Sequence, residues 1–168
     1  TFLLVEYGIE TTNDATLKRI NRGHTYSDTV DAVERTAARG ILTGGHVIVG
    51  LPGEMRTDVV KQAGMLSRLP LNTLKIHQLQ VIRGTSMAEE YEKNPSAFQI
   101  VDVEGYMDWV IDYVEHLRAD IVLDRFVSQS PKSLLIAPEW GVKNYEFTAR
   151  LRTRMKERGT YQGKYYQE

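Results

Sequence analysis

The sequence predicts an α/β fold of parallel strands joined by crossover helices, and three observations lead there. Short β-rich runs alternate with helical stretches through the first half of the chain. The second and third runs end in glycine-containing turns, Gly50-Leu51-Pro52-Gly53 and Arg83-Gly84-Thr85. Each of these runs also alternates polar and apolar residues, so each strand has two unlike sides. With 168 residues, 42% of them apolar, the chain is long enough to bury a real core in one compact domain.

The first strand spans Phe2 to Glu10. It begins almost at Thr1 with no charged leader, so it reads as a strand and not a signal peptide, and further strands are expected upstream. A short helix from about Asp14 to Ile20 follows, with Asn13 as its N-cap. The next helix, about Ser27 to Arg39, carries Ala32, Val33, Thr36 and Ala37 along one side and stops at Gly40. The second strand lies within Ile41 to Val49, and a helix from about Thr57 to Leu69 is broken by Pro70. Leu74 to Ile82 is the third strand. A short helix, about Met87 to Lys93, precedes a strongly amphipathic one from Val103 to Leu117, in which Tyr106, Val110, Tyr113, Val114 and Leu117 recur at helical spacing. Ile121 to Val127 is the fourth strand. After Ser128-Gln129-Ser130-Pro131 the pattern weakens to a turn. A basic helix then runs from about Tyr145 to Arg158, and the residues beyond it are expected to fray or to await a partner.

The strand faces are more informative than the strands. Val5, Tyr7 and Ile9 share one side of the first strand, and Glu6, Gly8 and Glu10 the other. Leu74 and Ile76 oppose Lys75 and His77, while His46 shares a side with Ile48 and Gly50 against Val47 and Val49. A sheet covered by helices needs an apolar face beneath them. The opposite face then carries two carboxylates, a lysine and two histidines. A fully packed eight-stranded barrel fills its interior with branched apolar side chains. A polar interior points to a wider or incomplete barrel with a ligand inside, or to an open sheet with one solvated face.

Composition excludes several classes of function. A formal net charge of −1 makes the molecule neither a polyanion mimic nor a general nucleic-acid binder. A cysteine count of 0 excludes a disulfide scaffold, a cysteine nucleophile and any thiolate-ligated metal or cluster held by this chain. No apolar run approaches the roughly 20 residues that span a bilayer, and a cytoplasmic location is expected. Charge is nonetheless uneven: 10 acids and 2 bases lie between Glu89 and Asp124, and 7 bases and 2 acids between Lys143 and Lys164. The basic helix, with tyrosines nearby, either touches RNA or a partner protein or packs against the acidic segment, and the intramolecular reading is favoured.

Ligands of parallel α/β units gather at the carboxyl ends of strands, which places Glu10 and Thr11 well. A carboxylate there accepts from the hydroxyls of a ribose, and Arg22 suits a carboxylate or phosphate; taken alone, either residue is equally a surface or capping group. The Gly50-Leu51-Pro52-Gly53 turn lets a flat group approach the backbone, or is a plain turn, and it lacks the lysine and hydroxyl of a phosphate loop. His46 and His77 on neighbouring strands suggest a metal site with Glu10, yet no third ligand stands at a telling spacing. Hydrogen bonding to a ligand or to each other suits them better.

Taken together, Glu6-Tyr7-Gly8-Ile9-Glu10-Thr11 with Asn21-Arg22-Gly23, then HVIVGLPG from His46 to Gly53, then LKIHQLQVIRGT from Leu74 to Thr85, resembles radical SAM enzymes. More narrowly it is similar to the C-terminal part of the Fe–S oxidoreductases near oxygen-independent coproporphyrinogen oxidase and the elongator-type proteins. Leu134-Leu135-Ile136-Ala137-Pro138-Glu139-Trp140 and Tyr161-Gln162-Gly163-Lys164 fit the same subgroup. The resemblance implies the C-terminal half of an incomplete (βα)6 TIM-like barrel with parallel strands and outer helices, over residues 1–130, plus a C-terminal helical extension, residues 131–168. It implies S-adenosylmethionine and a 4Fe–4S cluster as cofactors of an intact parent, and reductive cleavage of S-adenosylmethionine to a 5′-deoxyadenosyl radical. By the same resemblance Glu10 meets the ribose and Arg22 the methionyl carboxylate. Ile48 and the backbone around Gly50 line the adenine, with His77, Gln78 and Leu79 from the next strand. His46 replaces an Asp near the ribose, which leaves its role open.

The Cys-x-x-x-Cys-x-x-Cys loop that ligates the family's cluster is absent from the chain. The chain alone is therefore expected to be inactive. Its substrate, small or RNA-linked, is not legible, and exposed sheet edges imply self-association.

Overall fold

The computed structural model describes residues 2–167. The alternation read from the sequence folds as expected into a partial TIM-like barrel with a four-stranded parallel sheet in the order β1-β2-β3-β5. The strands are β1, Leu4–Glu10; β2, Leu42–Val49; β3, Thr73–Gln78; β4, Val81–Ile82; β5, Val122–Arg125; and β6, Leu135–Ala137. The helices are α1, Asp14–Arg19; α2, Tyr26–Ala37; α3, Arg56–Ser67; α4, Ser86–Lys93; α5, Val103–His116; and α6, Asn144–Glu157.

Local chemistry sets the boundaries. Asn13 caps α1, its side chain accepting from the amides of Ala15 and Thr16. Thr25 and Asp28 form a capping box that starts α2. Asp102 caps α5 through the amide of Gly105 at 2.7 Å. The C-terminal carbonyls around α3 are met by Arg118, whose guanidinium donates to the carbonyls of Ser67 and Leu71, both at 3.1 Å.

The cover from α2, α3, α5 and α6 lies on one face of the sheet. Ile9, Val47, Val49, Leu74 and Ile76 share a single buried cluster with Val33 of α2, Val59, Ala63 and Leu66 of α3, and the apolar positions of α5. Tyr106, Val110, Tyr113, Val114 and Leu117, the helical stripe, are all buried. Met107, Trp109 and Ile111 are buried too, because α6 covers a second side of α5. Phe147 and Leu151 of α6 enter the same core, and the ring of Tyr106 sits 5.4 Å from Phe147 and 5.0 Å from Trp140.

Four expectations are corrected. The run from Leu74 to Ile82 is two strands: β3 ends at Gln78, and β4 leaves the sheet to pair antiparallel with β6. Gln78 and Gln80 cause the break, because both side chains turn to Ser128 beyond β5. The segment after Pro131, read as a turn, contains β6. The fourth strand is shorter than expected, Val122–Arg125, since the Asn144 side chain accepts from the amides of Phe126 and Val127 in place of a ladder. Residues 162–165 do not fray: Gly163 and Tyr165 donate to the carbonyls of Val114 and Glu115, and Gln162 donates to those of Arg118 and Ile121.

The basic helix follows the favoured intramolecular reading. Arg150 and Arg154 pair with Glu104, and Arg154 and Arg158 pair with Asp108 at 3.0 and 2.6 Å. Among the described residues no helix is long and apolar enough to cross a membrane.

Leu74 is fully buried between β2 and the helices. Leu74→Ala is expected to lower unfolding free energy by about 2–5 kcal/mol, as read from urea denaturation midpoints.

Candidate functional site

The uncovered face of the sheet is polar, and its rungs follow from the strand register. One rung runs Gly8, His46, Lys75, Arg125, and the next pairs Ile48 with His77. Lys75 holds Glu6 at 2.6 Å and Asp124 at 3.4 Å. Its hydrogen bond keeps the Glu6 carboxyl below the usual carboxylate range. His46 and His77 meet edge to face, with ring centroids 5.7 Å apart.

At the carboxyl ends of the strands lies a cleft of about 320 Å³. Glu10, Arg22, Ile48, His77, Gln78 and Leu79 line it, joined by Ile20, Leu51, Gln80, Met87 and Ser128. Six of the eight residues expected at a site therefore come together. Gly50 lies just behind, in a narrow crevice with Val49 and Leu79, its φ of +89° making the turn that glycine permits. His46 lies one rung lower and does not line the cleft. Gln78 lines it with its amide committed elsewhere, since it exchanges two bonds with the backbone of Ser128, at 2.8 and 2.9 Å.

The polar end of the cleft is made by Arg22. Its guanidinium lies across Gly8, donating to the Gly8 carbonyl at 2.9 Å and pairing with Glu10 at 3.1 Å. A Cβ on Gly8 would stand 2.4 Å from Arg22 Nη2, so the missing side chain is what admits the guanidinium. Glu10 is delivered by a bulge at the end of β1 and has a φ of +61°, a left-handed conformation that costs a non-glycine residue about 1–2 kcal/mol. Beneath it the buried carboxylate of Glu54 accepts from the Thr11 hydroxyl, which ties the loop after β1 to the turn after β2. Burial pushes the Glu54 carboxyl up. The other end is apolar, with Ile20, Ile48 and Met87 packed on Leu51 and Leu79.

Gly8, Glu54 and Met87 were not singled out from the sequence. Gly8 sits inside the quoted Glu6–Thr11 motif, and Glu54 directly follows the Gly50–Gly53 turn. A metal site on His46, His77 and Glu10 is not assembled: Glu10 faces Arg22, and no group of three or more metal-ligating side chains converges among the described residues.

A parallel partial barrel with a polar face and a strand-end cleft on the same side is a (βα)-barrel architecture. Within that class the chain belongs to the radical SAM superfamily. Residues 2–64 match the Radical SAM superfamily, and residues 71–157 match the Radical_SAM C-terminal domain. The Bacillus subtilis protein YtqA is 32% identical over 167 residues, covering 99% of this chain and 51% of its own length. MJ0486 of Methanocaldococcus jannaschii is 34% identical over 160 residues, covering 95% of this chain and 49% of its own. The chain thus spans about half the length of these relatives. The structure of the archaeal Methanocaldococcus infernus Elp3 with an N-terminal deletion superposes with a TM-score of 0.83 at 19% identity, over 95% of this chain and 37% of that one.

Burial, then the neighbouring His46, Arg125 and Lys75, lowers His77 to a pKa of about 4. The unfolded chain, with an ordinary histidine pKa near 6.5, binds this proton more readily than the folded one. Stability is therefore expected to fall as pH drops from about 6.5 toward 4. Ring-carbon NMR shifts of His77 should keep their neutral values down to about pH 5. Protonation near pH 6.5 would contradict this burial.

Proposed function

We propose that this chain supplies the S-adenosylmethionine-facing part of a radical SAM oxidoreductase. The observation that carries the reading is the Arg22 guanidinium laid over Gly8 at one end of a cleft whose other end is apolar. S-adenosylmethionine needs both ends: a carboxylate partner for its methionyl group and an apolar slot for its adenine. A cleft of about 320 Å³ falls within the range of small-ligand sites.

In this reading Arg22 binds the methionyl carboxylate through charge-assisted hydrogen bonds, exchanging its present partner Glu10 for the ligand. Glu10, released, accepts from the ribose hydroxyls. Ile48, His77, Gln78 and Leu79 would line the adenine, with the backbone near Gly50 behind them. Met87 adds an apolar side chain to that slot. Bound S-adenosylmethionine supplies the 5′-deoxyadenosyl group for hydrogen abstraction in the parent enzyme. The residues present do not fit the 4Fe–4S cluster, because the chain has no cysteine.

Two measurements test this reading. Arg22→Ala should weaken S-adenosylmethionine binding about 5–10-fold by calorimetry, a reduced effect for a side chain that is 40% exposed. Gly8→Ala should weaken it comparably by displacing the same guanidinium, with little change in melting temperature. Unchanged affinity in both variants excludes the assignment. Incubated with S-adenosylmethionine and dithionite, the chain alone should produce no 5′-deoxyadenosine by chromatography. Its formation would show that the chain needs no thiolate-held cluster.

A further inference from the structure

β5 is a terminal strand of the sheet, paired with β3 on one edge only. A bare edge offers unpaired backbone groups to another chain, so proteins normally cover it. Here side chains cover the two ends of the edge in the manner of a neighbouring strand. Gln162 donates to the carbonyl of Ile121 at 2.8 Å, and Asn144 accepts from the amides of Phe126 and Val127 at 2.9 and 3.3 Å. Between these plugs the edge is open. Along a parallel strand, successive residues turn their backbone groups to opposite edges. Val122 donates across the ladder to Asn72 at 2.9 Å, so Leu123 turns its N–H and C=O outward.

A groove of about 620 Å³ lies against this opening. Leu123, Asp124 and Phe126 form its strand side, and Leu151, Arg152 and Met155 of α6 face them. Leu123 and Asp124 are consecutive and point to opposite faces of the sheet, so a groove that both line runs along the strand's edge. It shares no residue with the strand-end cleft. We infer that this groove between β5 and α6 docks an extended, acidic peptide segment of a partner protein. The opening from Leu123 to Arg125 admits about three residues of such a segment. The inference does not depend on what the strand-end cleft binds.

Charge and hydrogen-bonding pattern select the occupant. Of the arginines in α6, Arg150 and Arg154 are held by Glu104 and Asp108. Arg152 lines the groove instead and is exposed, with no carboxylate partner among the described residues. The acid in the groove, Asp124, is taken by Lys75 at 3.4 Å. Arg125, opposite Lys75 in the register, also has no carboxylate partner among the described residues. The edge therefore presents two uncommitted cations and one committed acid. A glutamate or aspartate side chain meets Arg152 through charge-assisted bonds, while its own peptide groups pair with the N–H and C=O of Leu123. Leu123, Phe126, Leu151 and Met155 receive the apolar neighbours. A second copy pairing edge to edge about a two-fold axis brings Arg125 and Arg152 of both chains to one seam, which like-charge repulsion opposes. A phosphate offers acceptors only and has no donor for the Leu123 carbonyl.

The test is an NMR titration of the ¹⁵N-labelled chain with three capped peptides: acetyl-Val-Glu-Val-amide, its Lys counterpart, and the Glu peptide with methylated backbone amides. The Glu peptide should move the Leu123 amide proton downfield, as a new hydrogen bond does, and shift the side-chain Nε of Arg152. The Lys peptide should bind about 2–5-fold more weakly, the scale of an exposed ion pair. The methylated peptide should leave Leu123 unmoved. Arg152→Glu, a change at an exposed position, should reverse the preference between the Glu and Lys peptides and leave the spectrum remote from the groove unchanged. Equal binding of the two peptides overturns the inference, as does the absence of any shift. A Glu peptide that moves Arg152 alone shows an anion contact without strand pairing and overturns it too. Leu123 shifts that appear on raising the chain's own concentration assign the edge to a second copy. A uridine oligonucleotide that displaces the Glu peptide assigns the groove to nucleic acid. Either result overturns the peptide reading.

Discussion

Everything in this molecule depends on the long helices α2, α3, α5 and α6 covering the same side of the sheet. A strand alternates its side chains, so one covered face demands that every second residue be apolar and leaves the others free of that demand. Val47, Val49, Leu74 and Ile76 meet the demand and are buried. His46, Ile48, Lys75 and His77 are released from it. The chain can therefore keep charged and titratable groups beside each other in mid-strand, where a sheet covered on both faces would pay heavily for desolvating them. Site and core are two sides of one pattern.

At the strand ends the polar elements hold one another in place. Arg22 is fixed by a backbone carbonyl and by Glu10, while Glu10 takes an unfavourable backbone conformation that turns its carboxylate to the guanidinium. Strain of this kind persists only where the surroundings over-determine it. Here the bulge at Ile9, the buried Ile9 side chain and the Thr11–Glu54 bond do so. The guanidinium is thus held in one position by the Gly8 carbonyl and Glu10.

The period-two alternation made the strands and their faces legible, while the site residues came from the resemblance, and six of the eight line the cleft. The helical stripe of α5 was legible in the same way. What escaped was non-local. Gln78-Leu79-Gln80-Val81 reads as uninterrupted strand, and only the contact with Ser128, about fifty residues on, shows why it breaks. Gly8 looks like any strand glycine until Arg22, 14 residues later, is found lying across it. The tail past α6 reads as frayed or partner-dependent because its bonds are to carbonyls of α5 and the loop beyond, which carry no sequence signal. His46, placed by resemblance near the ribose, stands a rung lower because strand position, not motif membership, sets its height.

The loops above the sheet are fastened in pairs. Glu54 ties the loop after β1 to the turn after β2 through Thr11, while Gln78 and Gln80 tie the segment after β3 to the one after β5 through Ser128. Glu10, Arg22 and Leu51 belong to the first pair, and Leu79, Gln80 and Ser128 to the second, with the cleft between them. Each wall is thus a pair of loops tied by side-chain hydrogen bonds, and the β2–β3 ladder beneath is the backbone pairing that joins one wall to the other.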